Sequence, residues 1–375
     1  MFQKKQLKYF DFWIIILLVG ITIFASFAIG SATHVNVSDD NHYVKKQLIG
    51  FCIGMILLII TSFLNYNLLK KSYLLLYSAN LVLLVGVLYL GSGKGSSRWL
   101  SIGGFTIQPS EFAKIIVIIF LARFLEKKQK SINNPLVIIE TIILVGVPAL
   151  LINMQPDLST SIVIVVLLAT ALFVSKISYK YILAVVIMLG LFVIFMLWNL
   201  QQDKPYFLKE YQVTRILSTM EPEKYKNDEA YQTYNSMQAI GSGQFEGKGL
   251  YKGTLNQFKY LPEPHTDFIY SVIGEEFGFI GCALVILLLM VIVFRCIWNA
   301  IYAPDLFGTL LCTGVATMII FQSFVNMGVT TGIVPNTGIP LPFVSYGLSS
   351  LLTNMIGIGL VINVGMMRKT KFSWR

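Results

Sequence analysis

Long apolar runs separated by short polar stretches dominate this chain. Runs near 12–32, 48–64, 73–91, 110–125, 135–153, 160–175, 181–200, 268–294, 306–330 and 344–366 each approach the ~20 predominantly apolar residues that a helix needs to cross a bilayer. The pattern predicts an all-α integral membrane protein with ten transmembrane helices, and an even count puts both termini on one side. One hydrophilic segment, 201–266, is far longer than a helix connection requires, so it predicts a large loop between spans seven and eight. No repeat or low-complexity tract divides the rest, and residues 1–375 read as a single polytopic domain. The first run follows Lys4, Lys5 and Lys8 but has no small-residue cleavage pattern; it reads as a retained span, not a signal peptide.

Composition agrees. Hydrophobic residues make up 55% and charged residues 13%, with a mean hydropathy of +0.70, whereas a soluble domain carries about a quarter charged residues. A soluble enzyme is excluded. The net charge of +10 would suggest a nucleic-acid partner in a soluble chain, but here it follows the membrane ends instead. Sixteen Lys and Arg residues flank the spans on the side of the termini, among them Lys70, Lys71, Arg123, Lys127, Lys128, Arg295 and Arg368, against five in the short loops opposite. Basic residues concentrate in cytoplasmic loops. Both termini are therefore predicted cytoplasmic, the 201–266 loop extracytoplasmic, and no nucleic acid is expected. That loop carries Tyr206, Phe207, Tyr211, Ile216, Leu217, Tyr225, Tyr231, Tyr234, Phe245, Tyr251, Phe258 and Tyr260, an aromatic set suited to the headgroup level. Cys52, Cys282, Cys296 and Cys312 lie in apolar runs without ligand spacing and suggest neither disulfide nor zinc.

Polar residues at membrane depth are costly, so their position is the strongest functional signal. Four clusters stand out, all at predicted outer ends. The first is Gly95-Ser96-Ser97-Arg98-Trp99-Leu100 with Gln108-Pro109-Ser110-Glu111-Phe112-Ala113-Lys114, where Pro109 suits a helix start and Glu111 and Lys114 share a helix face. The second is Gln155-Pro156-Asp157-Leu158-Ser159-Thr160, in which Asp157 either caps the next helix or serves a site. The third is Leu261-Pro262-Glu263-Pro264-His265-Thr266-Asp267-Phe268, followed by Glu275 and Glu276. Three carboxylates opening an apolar span favour a site there over simple capping. The fourth, Thr337 to Ser350 with Pro340, Pro342, Ser345 and Tyr346, predicts an interrupted helix, tolerated only against protein or a wet cavity. Outer carboxylates beside Arg98 and Lys114 would suit an anionic, lipid-borne substrate: a carboxylate as general base on a hydroxyl, cations holding a diphosphate leaving group.

Ser97-Arg98-Trp99, Gln108-Pro109-Ser110-Glu111, Gln155-Pro156-Asp157, Pro262-Glu263-Pro264-His265-Thr266-Asp267-Phe268 and Pro342-Phe343-Val344-Ser345-Tyr346-Gly347, in this order, resemble the SEDS family of bacterial shape, elongation, division and sporulation proteins. Gly247-Lys248-Gly249-Leu250 and Lys252-Gly253-Thr254 look most like its elongation branch, RodA, with the division and sporulation branches as alternatives. One departure is visible: the family usually has a second glycine after Ser-Tyr-Gly, where this chain has Leu348, which puts the local helix packing in question.

The resemblance implies a multi-pass enzyme of the bacterial plasma membrane, a peptidoglycan glycosyltransferase that polymerises lipid II at the outer face. A class B penicillin-binding protein would supply transpeptidation, and Asp267 would be the catalytic carboxylate. On that reading Arg98 and Lys114, with a divalent cation (Mg or Mn) alongside, stabilise the departing undecaprenyl diphosphate, and no organic cofactor is called for. Glu111 and Asp157 orient those cations or help hold the metal, and His265, Glu263 and Ser345 complete the substrate site. Two rivals are a flippase of the lipid-linked precursor, which the outer clustering disfavours, and a scaffold whose carboxylates only cap helices.

Overall fold

A computed structural model describes residues 7–34, 42–91, 98–102, 105–200, 213, 217, 231–261 and 263–368. Helices form at all ten predicted spans: α1 (Phe12–Thr33), α2 (His42–Phe63), α3 (Tyr66–Leu90), α4 (Pro109–Lys127), α5 (Pro135–Met154), α6 (Leu158–Val174), α7 (Tyr179–Leu200), α10 (Ile269–Ile301), α11 (Leu306–Thr330) and α12 (Leu348–Met366). Between α7 and α10 lie α8 (Tyr231–Ser242) and α9 (Thr254–Gln257). Among the described residues, seven helices, α1, α2, α3, α5, α10, α11 and α12, are long and apolar enough to span a bilayer by length and composition alone. Helix starts follow local chemistry: Asp11, Asn65, Asn134, Asp157 and Asp305 each cap a first turn with a side-chain oxygen, satisfying amide groups that have no partner within the helix.

Several expectations are adjusted. Helices α2, α3 and α10 extend beyond the hydropathic runs, because the helices continue through Lys45 and Lys46, Lys70 and Lys71, and Arg295 respectively, whose charges end the apolar window but not the backbone pattern. Helix α12 starts only at Leu348, not near 344; before it, Phe343 has a left-handed φ of 63° and Pro340 and Pro342 lack amide hydrogens. The segment before α4 is not merely a Gly-rich turn. Strands β1 (Leu100–Ile102) and β2 (Phe105–Ile107) pair antiparallel, Leu100 opposite Ile107.

Helix α12 is the most enclosed span, with 83% of its central window buried, and it packs closely on α2. Small residues make this possible: a Cβ on Gly50 would lie 2.8 Å from Leu348 Cδ1, and one on Gly54 2.9 Å from Met355 Cγ. The bulky Leu348 is thus accommodated by a glycine on the facing helix.

The second half of the long loop is docked into the bundle. Helix α10 breaks at Gly278 (φ 62°, ψ −158°), and residues 243–249 cross the break. Lys248 and Gly249 amides donate to the Glu275 and Glu276 carbonyls at 3.0 and 2.9 Å, while Phe279 and Ile280 amides donate to the Gln244 and Phe245 carbonyls at 2.9 and 3.2 Å. An interrupted helix is stable where protein satisfies its freed backbone groups, and a Cβ at Gly278 would lie 2.4 Å from Gly247 N. Phe245, Tyr251, Phe258 and Tyr260 point outward and are exposed. Tyr206, Phe207, Tyr211, Ile216 and Tyr225 lie outside the described residues.

Candidate active site

The four sequence clusters meet at one end of the bundle. Asp157 caps α6, accepting from the Thr160 amide at 3.1 Å, and its second oxygen accepts from Gln108 Nε2 and Ser110 Oγ, both at 3.0 Å. It therefore fastens the start of α4 to the start of α6. The Gln108 amide donates to Ser349 Oγ at 2.9 Å, and Ser159 Oγ donates to the Thr337 carbonyl, joining both helix starts to the irregular 331–347 segment. That segment in turn lies against the loop before α10. Ser345 Oγ donates to the Thr266 carbonyl at 2.6 Å, and the Tyr346 amide donates to the His265 carbonyl at 2.9 Å.

Asp267 stands one residue before the N-cap Phe268. Its backbone carbonyl accepts from Asn326 Nδ2 at 2.9 Å, and the same nitrogen reaches the Ile339 carbonyl at 2.8 Å. Its carboxylate faces Gly338 (φ 71°), whose Cβ, if present, would lie 3.4 Å from Oδ2. Among the described residues that carboxylate has no hydrogen bond or ion pair. Burial, and then the like charge of Glu263, push its pKa up to about 6; removing water disfavours the charged form, and a neighbouring anion adds to the penalty.

His265 is buried beneath this loop, its Nε2 3.6 Å from Glu263 Oε2, in ring contact with Tyr43 at 4.6 Å and Tyr346 at 5.5 Å. Burial lowers its pKa against the opposing pull of Glu263, so the neutral imidazole dominates near pH 7. Glu263 is exposed and adopts a left-handed φ of 47°.

Arg98 and Lys114 are placed differently. Arg98 Nε donates to the Gln155 carbonyl at 3.0 Å and its Nη2 to the Pro156 carbonyl, bracing the turn before α6. Lys114 is buried inside the bundle and bonded to Glu111 at 2.7 Å, while Glu111 Oε2 has no partner among the described residues. Glu263, His265, Asp267 and Ser345 thus form one group, and Arg98, Glu111, Lys114 and Asp157 a second, linked through Ser349 and Thr337.

Glu275 and Glu276, grouped with Asp267 in the sequence, have another task. Glu275 accepts from Lys248 Nζ (2.7 Å), Thr254 Oγ1 (3.1 Å) and the amides of Leu255 (2.9 Å) and Asn256 (3.3 Å). Glu276 accepts from Ser31 Oγ (2.5 Å) and the amides of Tyr251 (3.2 Å) and Gly253 (3.3 Å). Both pin the docked loop. Among the described residues no group of three or more His, Cys, Asp or Glu side chains converges as a cation site; Asp157 is bonded to Gln108 and Ser110, and Glu111 to Lys114.

Sequence reasoning missed Asn326, Tyr43 and Gln47, and it placed Gly338 in the fourth cluster without giving it a role. Asn326 was signalled, as a polar residue within the 306–330 span; Gln47, just before the 48–64 run, donates its Nε2 to the Ser345 carbonyl at 3.4 Å. Tyr43 carried no such mark.

The FtsW/RodA/SpoVE model, described as "Cell cycle protein", matches residues 7–370. The chain belongs to this family. It is 34% identical over 372 residues to a probable peptidoglycan glycosyltransferase FtsW of Trichlorobacter lovleyi, covering 96% of this chain and 94% of the relative. To the peptidoglycan glycosyltransferase MrdB of Escherichia coli it is 32% identical over 358 residues, covering 95% and 93%. Among solved structures, one described as "Structural coordination of polymerization and crosslinking by a peptidoglycan synthase complex" superposes with a TM-score of 0.82 at 29% identity, covering 96% of this chain and 99% of that one. The rod shape determining protein RodA of Thermus thermophilus gives 0.71 at 27% identity, covering 96% and 98%. This SEDS family member is a predominantly helical, multi-pass protein of the bacterial plasma membrane, and its relatives carry the names of enzymes.

Proposed function

We propose that this chain, a glycosyltransferase of the SEDS family, polymerises lipid II into glycan strands at the outer face of the plasma membrane, with Asp267 as general base. The observation that carries the reading is the Asp267 carboxylate: partly open to solvent, without a hydrogen-bond partner among the described residues, and with a pKa raised to about 6. A base titrating just below the working pH is mostly ionised near neutrality and still basic enough to accept a proton in the transition state. Asp267 takes the proton of the acceptor's GlcNAc 4-hydroxyl as that oxygen bonds to the anomeric carbon of the donor strand. The bond from that carbon to the diphosphate breaks, and undecaprenyl diphosphate leaves with the electron pair.

Arg98, at the turn before α6, and Lys114 are the cations assigned to the leaving group. Glu111 holds Lys114 in place until Lys114 exchanges that partner for the leaving group, and Asp157 fixes the α4 start beside the turn that Arg98 braces. His265, Glu263 and Ser345 frame the acceptor side. Sidedness rests on the excess of basic residues near the termini, which assigns the Asp267 end to the exterior. We assign the chain to the elongation branch on Gly247-Lys248-Gly249-Leu250 and Lys252-Gly253-Thr254; relatives named for division and for elongation match it at similar identity. A class B penicillin-binding protein is its expected partner, in keeping with the synthase complex that it resembles.

The test is purified protein in vesicles with fluorescent lipid II. Glycan ladders support the proposal. Leaflet exchange without ladders would make it a flippase, and neither activity a scaffold. Rescue of rod shape, but not of division, in depleted cells would support the elongation branch, and the reverse result would overturn it.

A further inference from the structure

The end of the bundle opposite Asp267 contains a basic, aromatic recess that the proposed chemistry does not use. There the start of α1, the end of α10 and the end of α12 converge around a cavity of about 280 Å³ whose lining includes Lys8, Tyr9, Asp11, Arg295 and Arg368. Asp11 is already neutralised: its oxygens accept from Arg295 Nε at 2.9 Å and Nη2 at 2.6 Å, a bidentate pair, and from Asn299 Nδ2 at 3.4 Å. That leaves two cations. The Arg368 guanidinium lies 3.4 Å from the Tyr9 ring centroid and Lys8 Nζ 4.8 Å from the same centroid, and among the described residues neither pairs with a carboxylate. The contacts are felt by Tyr9, whose pKa is lowered chiefly by the Lys8 hydrogen bond, with burial opposing and the Arg368 charge adding.

Two like charges held on one ring, over a cavity with no anion to spare among the described residues, constitute a standing electrostatic cost that a bound phosphate would relieve. The rim says which phosphate. Trp13, exposed by 67%, and Trp298, by 38%, flank the recess, and tryptophan prefers the headgroup level of a bilayer. Basic pockets between membrane helices on the cytoplasmic side accept anionic lipid headgroups, and Arg is well matched to phosphate oxygens. We infer that this recess binds the phosphodiester headgroup of an anionic phospholipid and, through it, ties together the two ends of the membrane domain at α1 and α12. This inference is independent of the Asp267 reading.

Native mass spectrometry of the full chain in detergent, titrated with phosphatidylglycerol, phosphatidylcholine or inorganic phosphate, tests it. One phosphatidylglycerol should bind more tightly than any phosphatidylcholine. The Lys8→Gln/Arg368→Gln double variant should weaken that binding ~30-fold, the exposed Lys8→Gln alone ~5-fold, and the charge-keeping Lys8→Arg/Arg368→Lys pair little. Lys8 is exposed, so its single variant keeps the test decisive if the double one does not fold. Unchanged phosphatidylglycerol affinity in Lys8→Gln and the double variant would overturn the inference. So would inorganic phosphate filling the site as well as the lipid does.

Discussion

Two stretches only eight residues apart treat their carboxylates in opposite ways. Around Glu275 and Glu276 the docked loop supplies six donors and Ser31 of α1 a seventh, and both side chains are buried and saturated. At Asp267 the loop is held just as firmly, but every bond goes to backbone: Asn326 to the Asp267 carbonyl, Ser345 to that of Thr266, Tyr346 to that of His265. Among the described residues the Asp267 carboxylate itself has no partner. A buried acid that is fully hydrogen-bonded is a fastening, whereas one fixed in position and denied partners is available for proton transfer. Glu275 and Glu276 are fully buried and Asp267 only partly so, and partner count among the described residues separates them further.

The comparison breaks most visibly at Asp267. Asp267→Asn should lower lipid II polymerisation by about 10²–10⁴-fold, the usual weight of a general base, while thermal unfolding stays the same or improves. The sign follows from linkage. A carboxyl whose folded pKa is raised holds its proton longer in the folded state, so between pH 3.8 and about 6 stability falls as pH rises, and the full cost, at most about 3 kcal/mol, is present above pH 6. Asparagine removes it. A marked loss of stability in the variant would move Asp267 into the class of Glu275.

Glu275→Ala should do the reverse. It strands Lys248 and three further donors, at a cost of about 3 kcal/mol, read as a lowered unfolding temperature, with activity per folded molecule largely kept. A smaller effect is expected from Asn326→Ala, which releases the Asp267 and Ile339 carbonyls. Lipid II turnover should drop roughly tenfold through misplacement of the base, with the acid limb of the pH profile unmoved, because the amide touches the backbone and not the carboxylate.

Hydropathy made the spans legible, and the cost of polar groups in a bilayer made the four clusters legible; Asp267 stood out on both grounds. What could not be read was how neighbouring acids divide their tasks, because Glu275 and Asp267 differ only in what a loop some twenty residues upstream brings to them. The break at Gly278 was equally hidden, since a glycine in an apolar run carries no sign of the chain that will cross it. Asn326 was readable as a polar residue within a span, but its role depends on the fold bringing α11 beside the α10 start. The diphosphate cations were found by charge and placed by packing: Lys114 lies paired inside the bundle, which no spacing rule reveals.

The most direct measurement is the pH dependence of polymerisation by purified enzyme, wild type against Glu263→Gln. Wild type should lose activity as pH falls through about 6, and removal of the neighbouring anion should shift that acid limb to lower pH, because the like charge no longer opposes ionisation of Asp267. A profile flat through that range, or one identical in the two proteins, would contradict the assignment of Asp267 as the base.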